Sequence, residues 1–274
     1  MKAIILSAGR GTRLGGLTAD MPKCLLPVRG ATSLLETQLD VLAAGGVNDV
    51  RVVTGFRAEQ VDAKLRARCV PAQRLRTVFN PFFDCADNLI SCFMARDEMS
   101  EPFLLINGDT IFETRALERL LASPPATLTL AVNEKASYDA DDMKVSLDGT
   151  RLRAVGKQLP LESVDAESIG LMLFRQSGPA RFRRALELAV REPCARNAWY
   201  LSVVNALART DRVETAAITG LRWWEVDCPE DLAAVRRGLA SCEPPTGARA
   251  RVLELAAQAR GRRTRRNERC ASGY

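Results

Sequence analysis

The chain has 274 residues, 47% apolar and 26% charged, the composition of a folded globular protein long enough to bury a substantial core. It contains no histidine, which excludes imidazole bases, histidine-centred triads and histidine-ligated metal sites. The formal net charge of +6 resides in Thr246 to Tyr274, with eight arginines against two glutamates; residues 1–245 are formally neutral, so no nucleic-acid partner is expected of them.

Residues 2–7 form a short apolar run that passes directly into Gly9-Arg10-Gly11-Thr12-Arg13. With no longer apolar segment behind it, this run reads as a buried first strand rather than a secretory leader. No apolar stretch approaches the ~20 residues of a membrane span, so a cytoplasmic location is expected. A helix pattern at about 33–45, carried by Leu34, Leu35, Leu39 and Leu42, stops at Gly45-Gly46. A β-branched run at Val50–Thr54 follows, then a helix near 57–68, a strand at Leu75–Phe79, a helix from Asp87 to Met99 and a strand at Phe103–Asn107. This alternation predicts a Rossmann-like α/β fold, with a mostly parallel central sheet and helices on both faces.

The pattern then changes. Short alternating segments at Thr127–Val132, Lys144–Leu147, Leu152–Val155 and Ser168–Phe174 predict a small antiparallel subregion. Helices at 179–191 and 198–209, strands at Val213–Ile218 and Trp224–Val226, and a helix from Pro229 to Leu239 complete the domain. Pro229 in the first turn, beside Glu230 and Asp231, is a helix start signal. The cluster Glu243-Pro244-Pro245-Thr246-Gly247 divides the chain into a domain at 1–242 and a hinge with an arginine-rich tail at 243–274, expected to be a solvated extension. The eight cysteines include no Cys-x-x-Cys pair and are expected to be reduced packing residues.

Glycines directly after a buried strand let backbone N–H groups approach phosphate oxygens, and Arg13 and Lys23 add cationic donors. A dinucleotide fingerprint is excluded by Leu14 where its third glycine would fall, and a P-loop by the missing Gly-Lys-Ser/Thr. Phe103-Leu104-Leu105-Ile106-Asn107-Gly108-Asp109 ends a buried strand on a carboxylate, the place where a parallel sheet presents a ligand site. Mg²⁺ is held by one or two carboxylates plus substrate phosphates, and a partner for Asp109 is best sought at Trp224–Asp231, where Asp227 also follows a short strand.

Leu6-Ser7-Ala8-Gly9-x-Gly11-x-Arg13 with Pro22-Lys23 resembles the N-terminal signature of the sugar-phosphate nucleotidylyltransferase superfamily, the MobA-like NTP transferases, and further blocks extend the likeness over about 1–240. The resemblance implies a nucleotide-diphospho-sugar transferase-like fold in which Leu6, Ala8, Gly9, Gly11 and Thr12 wrap nucleotide phosphates. It implies that Arg13 and Lys23 stabilise pyrophosphate charge, and that Asp109 and Asp227 hold Mg²⁺ as cofactor. The segment Asn80 to Cys92 resembles that of cytidylyltransferases acting on phosphocholine, 2-aminoethylphosphonate and related phosphoalcohols, which implies that Asn88 and Ser91 help close a base pocket. The middle of the chain resembles the acceptor half of the inositol-1-phosphate and aminophosphonate enzymes. By that likeness Lys144 and Lys157 contact the acceptor's phosphoryl group, Glu167 meets a cationic or hydroxyl group, and Trp223 walls the pocket.

The expected partners are a nucleoside triphosphate, CTP favoured, and a small phosphorylated or phosphonate acceptor, with room for a homo-oligomer. An acceptor oxygen already anionic at neutral pH needs no histidine to activate it. Two rivals stand beside this expectation: a sugar-1-phosphate uridylyl- or thymidylyltransferase, and a catalytically silent binding or regulatory relative.

Overall fold

Strand β1 (Lys2–Ser7) sends Ala3 and Ile5 to one face of a sheet and Ile4 to the other, and all three are fully buried. A strand buried on both faces needs a layer of helices on each side, and the rest of the chain supplies them. The computed structural model describes residues 1–68, 70 and 72–241. The hinge and arginine-rich tail expected from 243 onward, and Cys69, Cys242 and Cys270, lie outside the described residues. The five described cysteines are free thiols.

After β1 come the short strands β2 (Pro27–Arg29) and β3 (Thr32–Ser33), then α1 (Leu34–Ala44), β4 (Asp49–Thr54), α2 (Ala58–Ala67), β5 (Arg74–Phe79) and α3 (Asn88–Met94). Next are β6 (Phe103–Asn107), β7 (Thr110–Phe112), α4 (Thr114–Leu121), β8 (Leu128–Asn133), β9 (Lys144–Asp148), β10 (Arg151–Val155) and β11 (Ala166–Phe174). The described chain ends with α5 (Gly178–Ala189), α6 (Leu201–Thr210), β12 (Val213–Ala217), β13 (Trp223–Glu225) and α7 (Pro229–Ala240).

The main sheet has nine strands in the order β5-β4-β1-β6-β11-β8-β12-β10-β9. The half β5-β4-β1-β6 is parallel, as the alternating strand–helix pattern predicts. The other half mixes a parallel β8–β12 pair with antiparallel neighbours. The start of β11 also pairs with β9, so β11, β8, β12, β10 and β9 close a ring of pairings. The register shifts between Ser168 and Met172, where Gly170 has φ 72° and packs against Asn107.

One face is covered by α3, α5 and α6, through Leu89, Phe182 and Val204; the other by α1, α2 and α4, through Leu39, Val61 and Leu117. A third, smaller core joins Leu14, Val28 and Ile111 to Val226 and to Leu232 and Val235 of α7, so α7 clamps the end of the molecule that carries the glycine loop. Among the described residues no helix is long and apolar enough to cross a membrane.

Candidate active site

The parallel half of the sheet brings the first two motifs together. β1 and β6 are paired in register from Lys2 opposite Phe103 to Leu6 opposite Asn107, so both strands finish at the same level. The glycine loop leaves one and Asp109 follows the other. The backbone N–H of Gly108 donates to the Leu6 carbonyl at 2.9 Å. A Cβ on Gly108 would lie 2.3 Å from that oxygen and from Ser7 Oγ, so only glycine lets the two chains approach this closely. The third motif arrives through a two-strand ribbon: β7 pairs antiparallel with β13, Thr110 opposite Glu225, and Val226 N–H donates to the Asp109 carbonyl at 3.1 Å. Asp227 is then fixed by the start of α7, where the Asp231 carboxylate accepts from the N–H groups of Asp227 and Cys228, both at 2.9 Å.

The loop folds back so that its cations meet these acids. Gly11 has φ 69°, and a Cβ there would sit 2.9 Å from Lys23 Cβ, so glycine is required both by conformation and by the approach of residue 23. A turn of 3₁₀ helix over Lys23–Leu25 presents the lysine. Lys23 Nζ lies 3.0 Å from Asp109 Oδ2 and 2.5 Å from Asp227 Oδ1, and Arg13 Nη2 lies 2.7 Å from Asp227 Oδ2. Burial alone would lower the pKa of the Lys23 ammonium, but the charges and hydrogen bonds of Asp109 and Asp227 outweigh it and the value is raised. Lys23 is therefore a permanent cation at neutral pH.

A third carboxylate joins the pair. Asp109, Glu225 and Asp227 each offer an oxygen within 4.8 Å of the others. Desolvation, followed by the negative charges of Asp109 and Asp227, pushes the Glu225 carboxyl up to about 8, although its side chain keeps contact with solvent. Three crowded carboxylates of which one resists ionisation describe a site short of positive charge. Asp109 Oδ1 is buried and has no hydrogen-bond partner among the described residues. An all-oxygen set with an unpartnered buried carboxylate oxygen fits a hard divalent cation such as Mg²⁺.

A cavity of about 370 Å³ opens over this cluster. It is lined by Leu6, Ala8, Gly9, Gly11, Thr12, Arg13, Lys23, Asn88, Ser91, Asp109 and Asp227, so eleven residues singled out in the sequence share one wall. Asn88 and Ser91 also tie that wall together: Asn88 Oδ1 accepts from Tyr200 N–H at 3.0 Å, and Ser91 Oγ accepts from Asn80 Nδ2 at 3.0 Å. A neighbouring hollow of about 430 Å³ shares Gly11, Thr12, Phe83, Ala86 and Asp87 with the first. Arg10 stands at the boundary, bonded to Asp84 at 2.6 Å with its guanidinium 5.0 Å above the Phe56 ring.

The four residues expected at the acceptor lie outside this lining. Lys144 is buried, and its ammonium donates to the Lys157 carbonyl at 2.9 Å, so it is occupied by main chain. Trp223 packs against the apolar core beneath α1 and α4 rather than facing the cavity, because its strand partner is Phe112 of β7. Trp224 turns the other way, against Gly238 of α7. Glu167 is buried, accepting from Asn133 Nδ2 and paired with Lys135, both at 3.0 Å. Lys157 alone reaches the rim: its ammonium lies 5.0 Å above the ring of Trp199, which lines the cavity. Glu225, Phe83 and Trp199 are among the site residues missed in the sequence. Glu225 was signalled by its period-two spacing from Asp227; Trp199 had no local signal, since it comes from a loop more than a hundred residues away.

Comparison with known proteins gives the family and the fold. A family model described as the MobA-like NTP transferase domain matches residues 3–268. The CMP-5'-(3-aminopropyl)phosphonate synthase of Streptomyces rubellomurinus is 31% identical over 84% of this chain and 37% of its own length. The 2-aminoethylphosphonate cytidylyltransferase of Lancefieldella rimae is 26% identical over 86% of this chain and 92% of its own. The chain spans half or less of the length of the curated relatives matched most strongly. Among solved structures, the inositol-1-phosphate CTP transferase from T. maritima superposes with a TM-score of 0.73 at 19% identity, over 89% of this chain and 97% of the other, a likeness of fold.

Proposed function

The chain belongs to the MobA-like NTP transferase domain family, and from that premise we propose that it is a Mg²⁺-dependent cytidylyltransferase. Its substrates on this reading are CTP and a small phosphoalcohol or phosphonate of the phosphocholine or 2-aminoethylphosphonate kind. The observation that carries the proposal is one cavity in which the glycine loop, Arg13 and Lys23 face Asp109 and Asp227, with a carboxylate oxygen of Glu225 within 4.8 Å of both acids. The choice of CTP and of a phosphonate-type acceptor is supported by the names of the relatives and by the segment from Asn80 to Cys92. The reading assigns the reaction to the cytoplasm, where CTP is at hand.

An anionic oxygen of the acceptor attacks the α-phosphorus of CTP in line. One P–O bond forms, the bond from the α-phosphorus to the bridging oxygen breaks, and pyrophosphate leaves with the electron pair. Backbone N–H groups of the glycine loop bind and orient the phosphates. Lys23 and Arg13 are anchored by the aspartates before substrate arrives, so they need little reorganisation to meet the charge that develops on the leaving group. Asp109 and Asp227, with Glu225 beside them, would hold the cation. A bound Mg²⁺ supplies Lewis-acid stabilisation of phosphoryl charge. The chain's remaining task is positioning, which needs no covalent intermediate.

The test is a pyrophosphate-release screen of each nucleoside triphosphate against phosphocholine, 2-aminoethylphosphonate, inositol 1-phosphate and glucose 1-phosphate. CTP with an aminophosphonate or phosphocholine should give the strongest release, and an Asp109→Asn variant should lose nearly all of it. Preference for UTP or dTTP with the sugar phosphate would replace this reading by the sugar-nucleotide one. No release with any pair would leave a silent relative.

A further inference from the structure

We propose that Gln38, in the middle of α1, is the positioning residue of the divalent-cation site, holding the turn that presents Asp109. The inference rests on the metal-dependent reading above and adds to it a residue outside the cavity's lining. Gln38 is 1% exposed, and the other buried residues of α1 are all leucines. Its Nε2 donates to the carbonyl of Asn107 at 2.8 Å and to that of Thr110 at 2.7 Å. Those two carbonyls flank Gly108 and Asp109, so both hydrogens of one amide group are spent on either side of the proposed metal ligand. The side chain is fixed in this orientation, since a flipped amide would set its oxygen against two carbonyl oxygens.

Burying this amide is costly. Gln38 Oε1 is buried and has no hydrogen-bond partner among the described residues. A leucine would fill the space and remove that orphan, but it would take from the carbonyls of Asn107 and Thr110 the donor they share, so the amide is explained by the turn it fastens rather than by packing. The same turn reaches the second acid. Asp109 offers its carbonyl to Val226 N–H at 3.1 Å, and Thr110 lies opposite Glu225 in the ribbon. A shift of the turn therefore moves Asp109 against Glu225 and Asp227 together, and groups behind metal ligands commonly set affinity in this way.

The experiment measures binding of Mn²⁺ alone, by electron paramagnetic resonance, to the full chain and to Gln38→Met, which keeps the volume and removes both donors; Gln38→Leu replaces it should the first variant not fold. Leu39→Ala, fully buried on the same helix, is the control for general loosening. We expect Mn²⁺ to bind about tenfold more weakly to the Gln38 variant, and Leu39→Ala, assayed where it is folded, to bind as the native chain does. Native-like affinity in the Gln38 variant, or an equal loss in Leu39→Ala, overturns the positioning role and leaves the transfer reading intact. A native chain that binds no Mn²⁺, with or without CTP, overturns the metal-dependent reading and the role of Gln38 with it.

Discussion

At the scale of single residues the site is an arrangement of charge. Lys23 bridges Asp109 and Asp227, and Arg13 covers the second acid from the solvent side. Replacing Lys23 by methionine should keep the aliphatic stem and remove the charge. We expect kcat/KM to fall by about 10²- to 10³-fold, since removing one preorganised donor to a developing anion commonly costs that much; steady-state kinetics alongside a melting curve checks this, and native turnover would remove Lys23 from the mechanism. These residues were legible in the sequence because strand ends and glycine loops announce ligand sites. Gln38 was not, because a glutamine among leucines on an amphipathic helix carries no mark of which carbonyls it will meet. Trp199 was hidden for a similar reason: only tertiary packing brings its loop to α3, through Asp87 N–H on the Arg196 carbonyl and Tyr200 N–H on Asn88.

At the scale of elements, the strands and long helices follow their apolar spacing to within a few residues. What the pattern missed is short. The hairpin β2–β3, the three-residue β7 and the eight-residue α4 escape because each is too brief for a period to register, and no side chain caps the start of α4. β7 is the costly omission, since it carries Asp109 to Glu225. The opposite end of the sheet has its own fastening. The Glu98 carboxylate, after α3, takes the ammonium of Lys2 on β1 and the guanidinium of Arg51 on β4, the latter at 2.9 Å. Burial would raise the pKa of Glu98, but the hydrogen bond from Lys2 and the charge of Arg51 bring it below the ordinary value of 4.5. A carboxylate held below its unfolded value stabilises the fold above that value, and the contribution is lost as pH falls through the folded one. Glu98→Gln should therefore cost about 2 kcal/mol at neutral pH, a gap that closes as denaturant melts are taken from 4.5 downward; a gap independent of pH would contradict the assignment.

At the scale of the whole molecule, the nucleotide-diphospho-sugar transferase-like fold divides labour along one sheet. Its parallel half ends in the glycine loop and Asp109, and its closed, mixed half begins where Glu167 and Lys144 lie. The parallel half was legible from alternation alone; the ring of five strands was not, because its closure depends on the bend of β11 at Gly170 rather than on any local period. α7 then locks the far acid in place through Asp231, so the two proposed metal ligands, distant in sequence, rest on one frame. The most direct test is anomalous diffraction from crystals of the chain grown with CTP and Mn²⁺. A single strong peak between Asp109 and Asp227, with the triphosphate lying along Gly9 to Arg13, is the expected result. A nucleotide bound elsewhere, or manganese away from those two carboxylates, would contradict the proposed chemistry at its root.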